Sequence, residues 1–181
     1  MVISRFLLML CLVVTLAAED AATPAPADHP FLRANAIALT ASDGKKADPG
    51  RLTSKPLCLI YFSAHWCPPC RAFTPELVKF YRENGGGERF EVLFVSSDKD
   101  AESMMGYMKE AEMPWAALRF GSAKTPQFKK AYGGKGIPCL VLLDDQDKVL
   151  SHSYVDGEYV GPHTVLKDLA TRLKETAPAV K

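Results

Sequence analysis

Cys67 and Cys70 stand three residues apart in the segment Tyr61-Phe62-Ser63-Ala64-His65-Trp66-Cys67-Pro68-Pro69-Cys70. A β-type apolar run precedes them and a helical pattern follows, so Cys67 falls at an exposed helix start. There the unbonded N–H groups and the helix dipole favour an anion, and a thiolate is the reactive form of cysteine. The chemistry this predicts is dithiol–disulfide exchange: Cys67 attacks or is attacked through a mixed disulfide, and Cys70, one turn deeper, resolves it. Pro68 and Pro69 have no N–H, which leaves the Cys67 thiolate leaning on the Cys70 amide, the Cys70 thiol and the dipole; a depressed pKa is expected. A static disulfide or half of a zinc site would use the same pair, but no second Cys-x-x-Cys and no clustered histidines complete four ligands.

The pattern around the pair alternates between strand and helix. Leu57 to Phe62 reads as a buried strand after Lys55-Pro56. Phe73, Leu77, Phe80 and Tyr81 share one face of a helix that begins at Pro68, is kinked at Pro75 and stops at Asn84 and the glycines 85–87. Phe90 to Ser96 is a second strand. Met104, Tyr107, Met108 and Ala111 stripe a second helix that ends before Pro114, and a short helix is expected near Thr125 to Tyr132. Cys139 to Leu143 and Lys148 to Tyr154 form a hairpin around residues 144–147, and Leu166, Leu169, Ala170 and Leu173 mark a closing helix. A leading strand is expected near Ile37 to Thr40. This order predicts an α/β domain, a central mixed sheet with helices on both faces, without internal repeats.

A Trp-Cys-x-x-Cys motif after a strand, Pro75 five residues beyond the second cysteine and Ile137-Pro138 before a later strand resemble the thioredoxin fold. The longer strings Tyr61 to Pro75, Phe90 to Asp98, Met113-Pro114-Trp115 and Gly136-Ile137-Pro138 are similar to the tryparedoxin and nucleoredoxin branch, over roughly residues 50–155. The resemblance implies a cis Pro138, with the Ile137 backbone opposite the dithiol and free to pair with an extended substrate. It implies Trp66 as a wall beside the nucleophile, with Pro68 and Pro69 completing the substrate-binding set; Trp115 takes the same reading with less weight.

Three positions modulate that picture. Thioredoxins proper carry a buried aspartate six residues before the first cysteine, where this chain has Tyr61; Tyr61 or water is then the expected proton acceptor for Cys70. Cys139 follows the expected cis proline, where Thr is common, and reads as a small core residue or as a third thiol; Cys58 reads as core. His65 is either a solvated loop residue or a group that tunes the Cys67 thiolate near neutral pH. A peroxidase would need a Pro-x-x-x-Thr-x-x-Cys context, which is missing. The rival function is a soft-metal protein holding copper or an iron–sulfur centre on Cys67, Cys70 and Cys139. A non-catalytic peptide-binding module is third.

The chain ends set the expected compartment. Arg5, the apolar run Phe6 to Leu16 and the small residues Ala17 and Ala18 read as a signal peptide over 1–18, too short for a membrane span. Cys11 would suit a lipid anchor, but Leu10 before it is bulky; an uncleaved anchor is the other reading. Residues 19–34 read as an Ala/Pro-rich linker, 35–175 as the domain and 176–181 as a tail. The chain carries 22 basic and 21 acidic residues, and cleavage would remove only Arg5 from that balance. A near-neutral chain has no field that draws nucleic acid. The expectation is thus an exported, periplasmic or secreted, monomeric oxidoreductase, more reductase than oxidase. It needs no cofactor beyond the Cys67–Cys70 disulfide; its partners are client protein thiols or disulfides and an electron donor or acceptor, a membrane-bound one among them.

Overall fold

The computed structural model describes residues 27–36 and 38–176. The expected signal peptide, the first part of the linker, Ile37 and all but Thr176 of the expected tail lie outside them. In chain order the elements are α1 (Pro30–Asn35), β1 (Leu39–Thr40), β2 (Lys46–Ala47), α2 (Pro49–Thr53), β3 (Cys58–Ser63), α3 (Pro68–Glu83), β4 (Glu91–Ser96), α4 (Ala101–Glu110), β5 (Ala116–Leu118), α5 (Thr125–Tyr132), β6 (Cys139–Leu143), β7 (Val149–His152), β8 (Tyr154–Val155), β9 (Glu158–Tyr159) and α6 (Pro162–Glu175). Seven strands make one mixed sheet in the order β2-β1-β5-β4-β3-β6-β7. β3, β4 and β5 run parallel; the remaining pairs are antiparallel.

Alternation along β3 divides the core. Leu59 and Tyr61 face α3, α4 and α6, while Cys58, Ile60 and Phe62 face α1, α2 and α5. All six β3 residues are buried, which is why this strand reads as an unbroken apolar run rather than an alternating one. α3 is held down by Phe73, Leu77, Val78 and Tyr81. Truncating a fully buried leucine such as Leu77 costs about 2–5 kcal/mol, so the helix that carries the dithiol is anchored well beyond its own propensity. Its two leading prolines sit where helix N–H groups have no intrahelical partner. Its end turns beneath Tyr81: Gly85 is left-handed at φ +79°, and a Cβ on Gly86 would lie 2.3 Å from the Tyr81 ring, so only glycine fits there.

The structure corrects the linker drawn over 19–34. Residues 27–35 pack on the domain. His29 is fully buried, its Nδ1 2.7 Å from Asp147 Oδ1 and its Nε2 2.6 Å from the Lys55 carbonyl. Asp147 Oδ2 also accepts the N–H groups of Phe31 and Leu32 at 2.6 and 3.2 Å. The leading strand is only Leu39–Thr40, paired with β5. β7 stops at His152 instead of Tyr154, because the Ser153 hydroxyl takes the Leu140 N–H at 2.8 Å and donates to the Leu140 carbonyl at 3.0 Å. Tyr154 then opens the β8–β9 hairpin around Asp156-Gly157, both left-handed, an Asp-Gly hairpin signal.

Candidate active site

β3 and β4 end side by side, and the chain leaves β3 into the loop Ala64–Trp66. Ligand sites in α/β sheets form at the carboxyl ends of parallel strands. The dithiol lies there, with Cys67 and Cys70 joined as a disulfide. Cys67 is the N-cap of α3: its Sγ accepts the Cys70 N–H at 3.3 Å. It is the sulfur contact left when Pro68 and Pro69 supply no amide. Opposite, the Ile137–Pro138 peptide is cis, and the Ile137 carbonyl lies 3.8 Å from Cys67 Sγ.

The expected exposure of Cys67 is corrected. The residue is 3% exposed and Cys70 is fully buried. Exposure belongs to its neighbours Trp66, Pro68 and Pro69, while Ala64 and Ile137 pack on the pair and Pro138 is buried. Trp66 is 55% exposed, with its indole N–H donating to the Ser97 carbonyl at 3.0 Å. A groove of about 260 Å³ runs beside it, floored by Phe62 and bordered by Ser97, Lys129, Gly134 and Ile137.

The loop is braced by residues the sequence reading passed over. Asp98 accepts the His65 N–H at 2.7 Å and the Ser96 hydroxyl at 2.7 Å; Arg71 donates to the His65 carbonyl at 2.8 Å. The His65 ring stacks on Tyr107 and pairs with Glu110 at 2.9 Å. The ring thus engages α4 rather than standing free in the loop. The Tyr159 hydroxyl of β9 donates to the Pro138 carbonyl at 3.1 Å, fastening the cis-proline loop from outside. Only the Asp-Gly turn hinted at that hairpin in the sequence.

Tyr61 is corrected as the proton acceptor for Cys70. Its hydroxyl meets the Thr74 hydroxyl at 2.8 Å and the Cys70 carbonyl at 3.4 Å, not the Cys70 thiol. Thr74 continues through Tyr107 to Ser63, forming a buried chain of hydroxyls. Burial first, then the neighbouring Tyr107, pushes the Tyr61 phenol far above its ordinary range, so it stays a neutral donor. Trp115 is corrected too: it is a core residue, packed edge-on against Tyr81 on the α3 side of the sheet. Cys58 lies in the core on the opposite face. Cys139 is fully buried on that same face, its sulfur 3.9 Å from His152 Nε2. Among the described residues no three His, Cys, Asp or Glu side chains gather as a metal ligand set.

A dithiol at the start of a helix, on a mixed sheet with β3 and β4 parallel and β6 antiparallel, defines a thioredoxin fold. The comparisons then specify the branch. The family model described as Thioredoxin-like matches residues 55–149. The nucleoredoxin of Homo sapiens is 40% identical over 124 residues, 67% of this chain and 26% of that protein. The tryparedoxin of Trypanosoma brucei brucei is 40% identical over 96 residues, 52% of this chain and 65% of that one. The crystal structure of thioredoxin from Wuchereria bancrofti superposes with a TM-score of 0.61 at 35% identity, covering 75% of this chain and 95% of that chain. The chain belongs to the thioredoxin-like family, in its nucleoredoxin and tryparedoxin branch, whose members are thiol–disulfide oxidoreductases. It spans about a quarter or less of the first nucleoredoxins it matches. The nucleoredoxins and the tryparedoxin are intracellular, cytosolic or nuclear, proteins, which overturns the exported setting expected from residues 1–18.

Proposed function

We propose that the chain exchanges its Cys67–Cys70 dithiol with disulfides of client proteins, acting as a reductase. The observation that carries this is the placement of Cys67 Sγ, which accepts the Cys70 amide at a helix start and faces the Ile137 carbonyl beside an exposed indole. In the reduced state the Cys67 thiolate attacks one client sulfur, forming a mixed disulfide and expelling the other client sulfur as a thiolate. The Cys70 thiolate then attacks Cys67, the mixed bond breaks, the second client thiolate leaves, and the Cys67–Cys70 disulfide closes. Two electrons have passed to the client, and a donor dithiol restores them by the reverse exchange. With Tyr61 held as a donor, the proton of Cys70 passes to the departing client thiolate or to water. Trp66, Pro68, Pro69, Ile137 and Pro138 border the path by which a client sulfur reaches Cys67.

Two measurements test this. Cys70→Ser removes the resolving thiol, so the variant should accumulate a mixed disulfide with an oxidised client, visible by mass spectrometry, whereas Cys67→Ser should form none. The reduction potential, titrated against thiol buffers, should fall near about −270 mV. A value near about −120 mV would make the protein an oxidant of clients instead, and a pair that does not cycle would end the proposal.

A further inference from the structure

The groove beside Trp66 does not stop at Lys129. A second concavity continues from it, sharing Ser97 and Lys129 and running past Arg119 to Ser122 at the ends of β4 and β5. Together they make one channel that begins at Ile137 and Trp66, the residues flanking Cys67. Its charge is unlike that of the rest of the chain. The whole sequence has a formal net charge of +1, yet the stretch from Met113 to Leu143, which supplies one wall, has no Asp or Glu and carries Arg119, Lys124, Lys129, Lys130 and Lys135. Among the described residues none of these five takes part in a salt bridge, and Arg119 and Lys129, which line the channel, are exposed. Lys135 lies instead beside the Asp156-Gly157 turn. The acid on the facing wall, Asp98, keeps its charge while its oxygens accept the His65 amide and the Ser96 hydroxyl, so Arg119 and Lys129 outnumber it two to one along the channel.

We infer that this channel selects clients whose exchanging cysteine is flanked, in an extended segment, by acidic side chains, with Lys129 meeting the acid nearer the cysteine and Arg119 one farther along. The inference rests on the exchange activity proposed above and adds its substrate class. Unpaired cations along a concave path raise the local concentration of an anionic segment and speed its encounter. Gly133, Gly134 and Gly136 line the groove with backbone alone, and the Lys129 carbonyl and the Tyr154 ring fill the space that side chains there would take. The client's side chains then set the rate at which its sulfur arrives at Cys67, while the chemistry of the dithiol is unchanged.

The probes are two five-residue peptides, each carrying one cysteine as its mixed disulfide with thionitrobenzoate, flanked on both sides by Glu in one and by Lys in the other. Attack of reduced Cys67 on the peptide sulfur releases thionitrobenzoate, which is read by its absorbance. The reduced full chain should release it from the Glu peptide about 10-fold faster than from the Lys peptide at low salt, and 1 M salt should compress that ratio. The double variant Lys129→Glu/Arg119→Glu should abolish or invert the ratio, while Lys174→Glu on α6, a charge change remote from the channel, should preserve it. Because the readout is a ratio, an altered thiolate fraction in a variant cancels. Equal rates for the two peptides in the wild type, or a ratio the double variant leaves intact, would overturn the acidic-client assignment while the exchange activity stands. Release from neither peptide would instead bring down the exchange activity itself.

Discussion

Cys58 opens β3 and Cys67 follows its end, and of the two Cys58 has the more enzyme-like company. Its sulfur lies 3.6 Å from His29 Nε2, and His29 Nδ1 lies 2.7 Å from Asp147, the nucleophile–base–orienter order of a cysteine hydrolase. Among the described residues no basic side chain is hydrogen-bonded to Cys67. Yet the chemistry belongs to Cys67. Both nitrogens of His29 face acceptors, the Asp147 carboxylate and the Lys55 carbonyl, so the ring is held as a double donor without a lone pair for the Cys58 proton. That thiol donates instead to the Leu52 carbonyl at 3.1 Å. Burial, reinforced by the charges of Asp147 and Glu91, pushes it well above its ordinary pKa. Cys67 is offered what an anion needs, an amide donor and a helix start beside an open groove. A thiol becomes a nucleophile through whatever stabilises its anion and admits a substrate, and a neighbouring histidine is not enough.

The largest expected effect comes from breaking the Cys58 side. Asp147→Ala strips His29 of its counter-charge and α1 of the carboxylate oxygen that accepts the Phe31 and Leu32 amides. Removing one partner of a buried ion pair costs about 3–5 kcal/mol, read as a lower urea midpoint. Native Cys58 should then become open to alkylation as residues 27–35 detach. An unchanged midpoint would mean that the pair does not hold the N-terminal segment.

A smaller, graded effect follows from the same ring. Burial alone would lower the pKa of His29, but the Asp147 carboxylate and the Lys55 carbonyl more than reverse it, and the pKa is raised above the ordinary 6.5. The folded state therefore binds this proton more tightly than the unfolded chain. Its stabilisation is complete below about pH 6.5 and fades as pH rises through the higher folded value. In urea unfolding, the stability gap between wild type and His29→Gln should narrow from pH 6 to pH 9. A gap independent of pH would mean that folding leaves the affinity of the ring for its proton unchanged, and a widening gap that the buried ring is neutral.

The two regions also differed in how readable they were. The dithiol, its prolines, Trp66 and the phase of α3 are local patterns, visible within one window of sequence. The His29–Asp147 pair joins residues 118 positions apart, and one partner sits in an Ala/Pro-rich stretch whose composition resembles a tether. The burial of Cys67 is not legible because helix-start position and solvent exposure usually coincide; here Ala64 and Ile137, the latter 70 residues away, pack on the pair. The place of Tyr61 was legible, but not that its hydroxyl would turn toward Thr74 and the Cys70 carbonyl. The β8–β9 hairpin had a local signal in Asp156-Gly157, and the strand pattern running into Tyr154 masked it. The compositional reading of residues 1–18 as a leader gave way to the relatives.

Cys139 provides the finest test of the comparison, because it combines features of both thiols. It follows the cis-proline loop, as a thiol near the reactive centre would, but it faces the core that holds Cys58. Its histidine neighbour is also spent: His152 Nδ1 accepts the Tyr154 N–H at 2.9 Å, which leaves Nε2 to donate to the Tyr132 carbonyl at 3.0 Å. Burial pushes the Cys139 thiol up to about 11, so about one molecule in 10,000 is ionised there at pH 7. A thiol so rarely charged and fully buried cannot compete with Cys70 for the mixed disulfide. Cys139→Ala should change the exchange rate by less than about twofold and cost about 1 kcal/mol of stability, and alkylation of the reduced native protein should spare Cys139 while it modifies Cys67. A tenfold loss of rate with the fold intact would show that proximity to the cis-proline loop outweighs burial, and that the rule separating Cys67 from Cys58 fails at the one thiol placed between them.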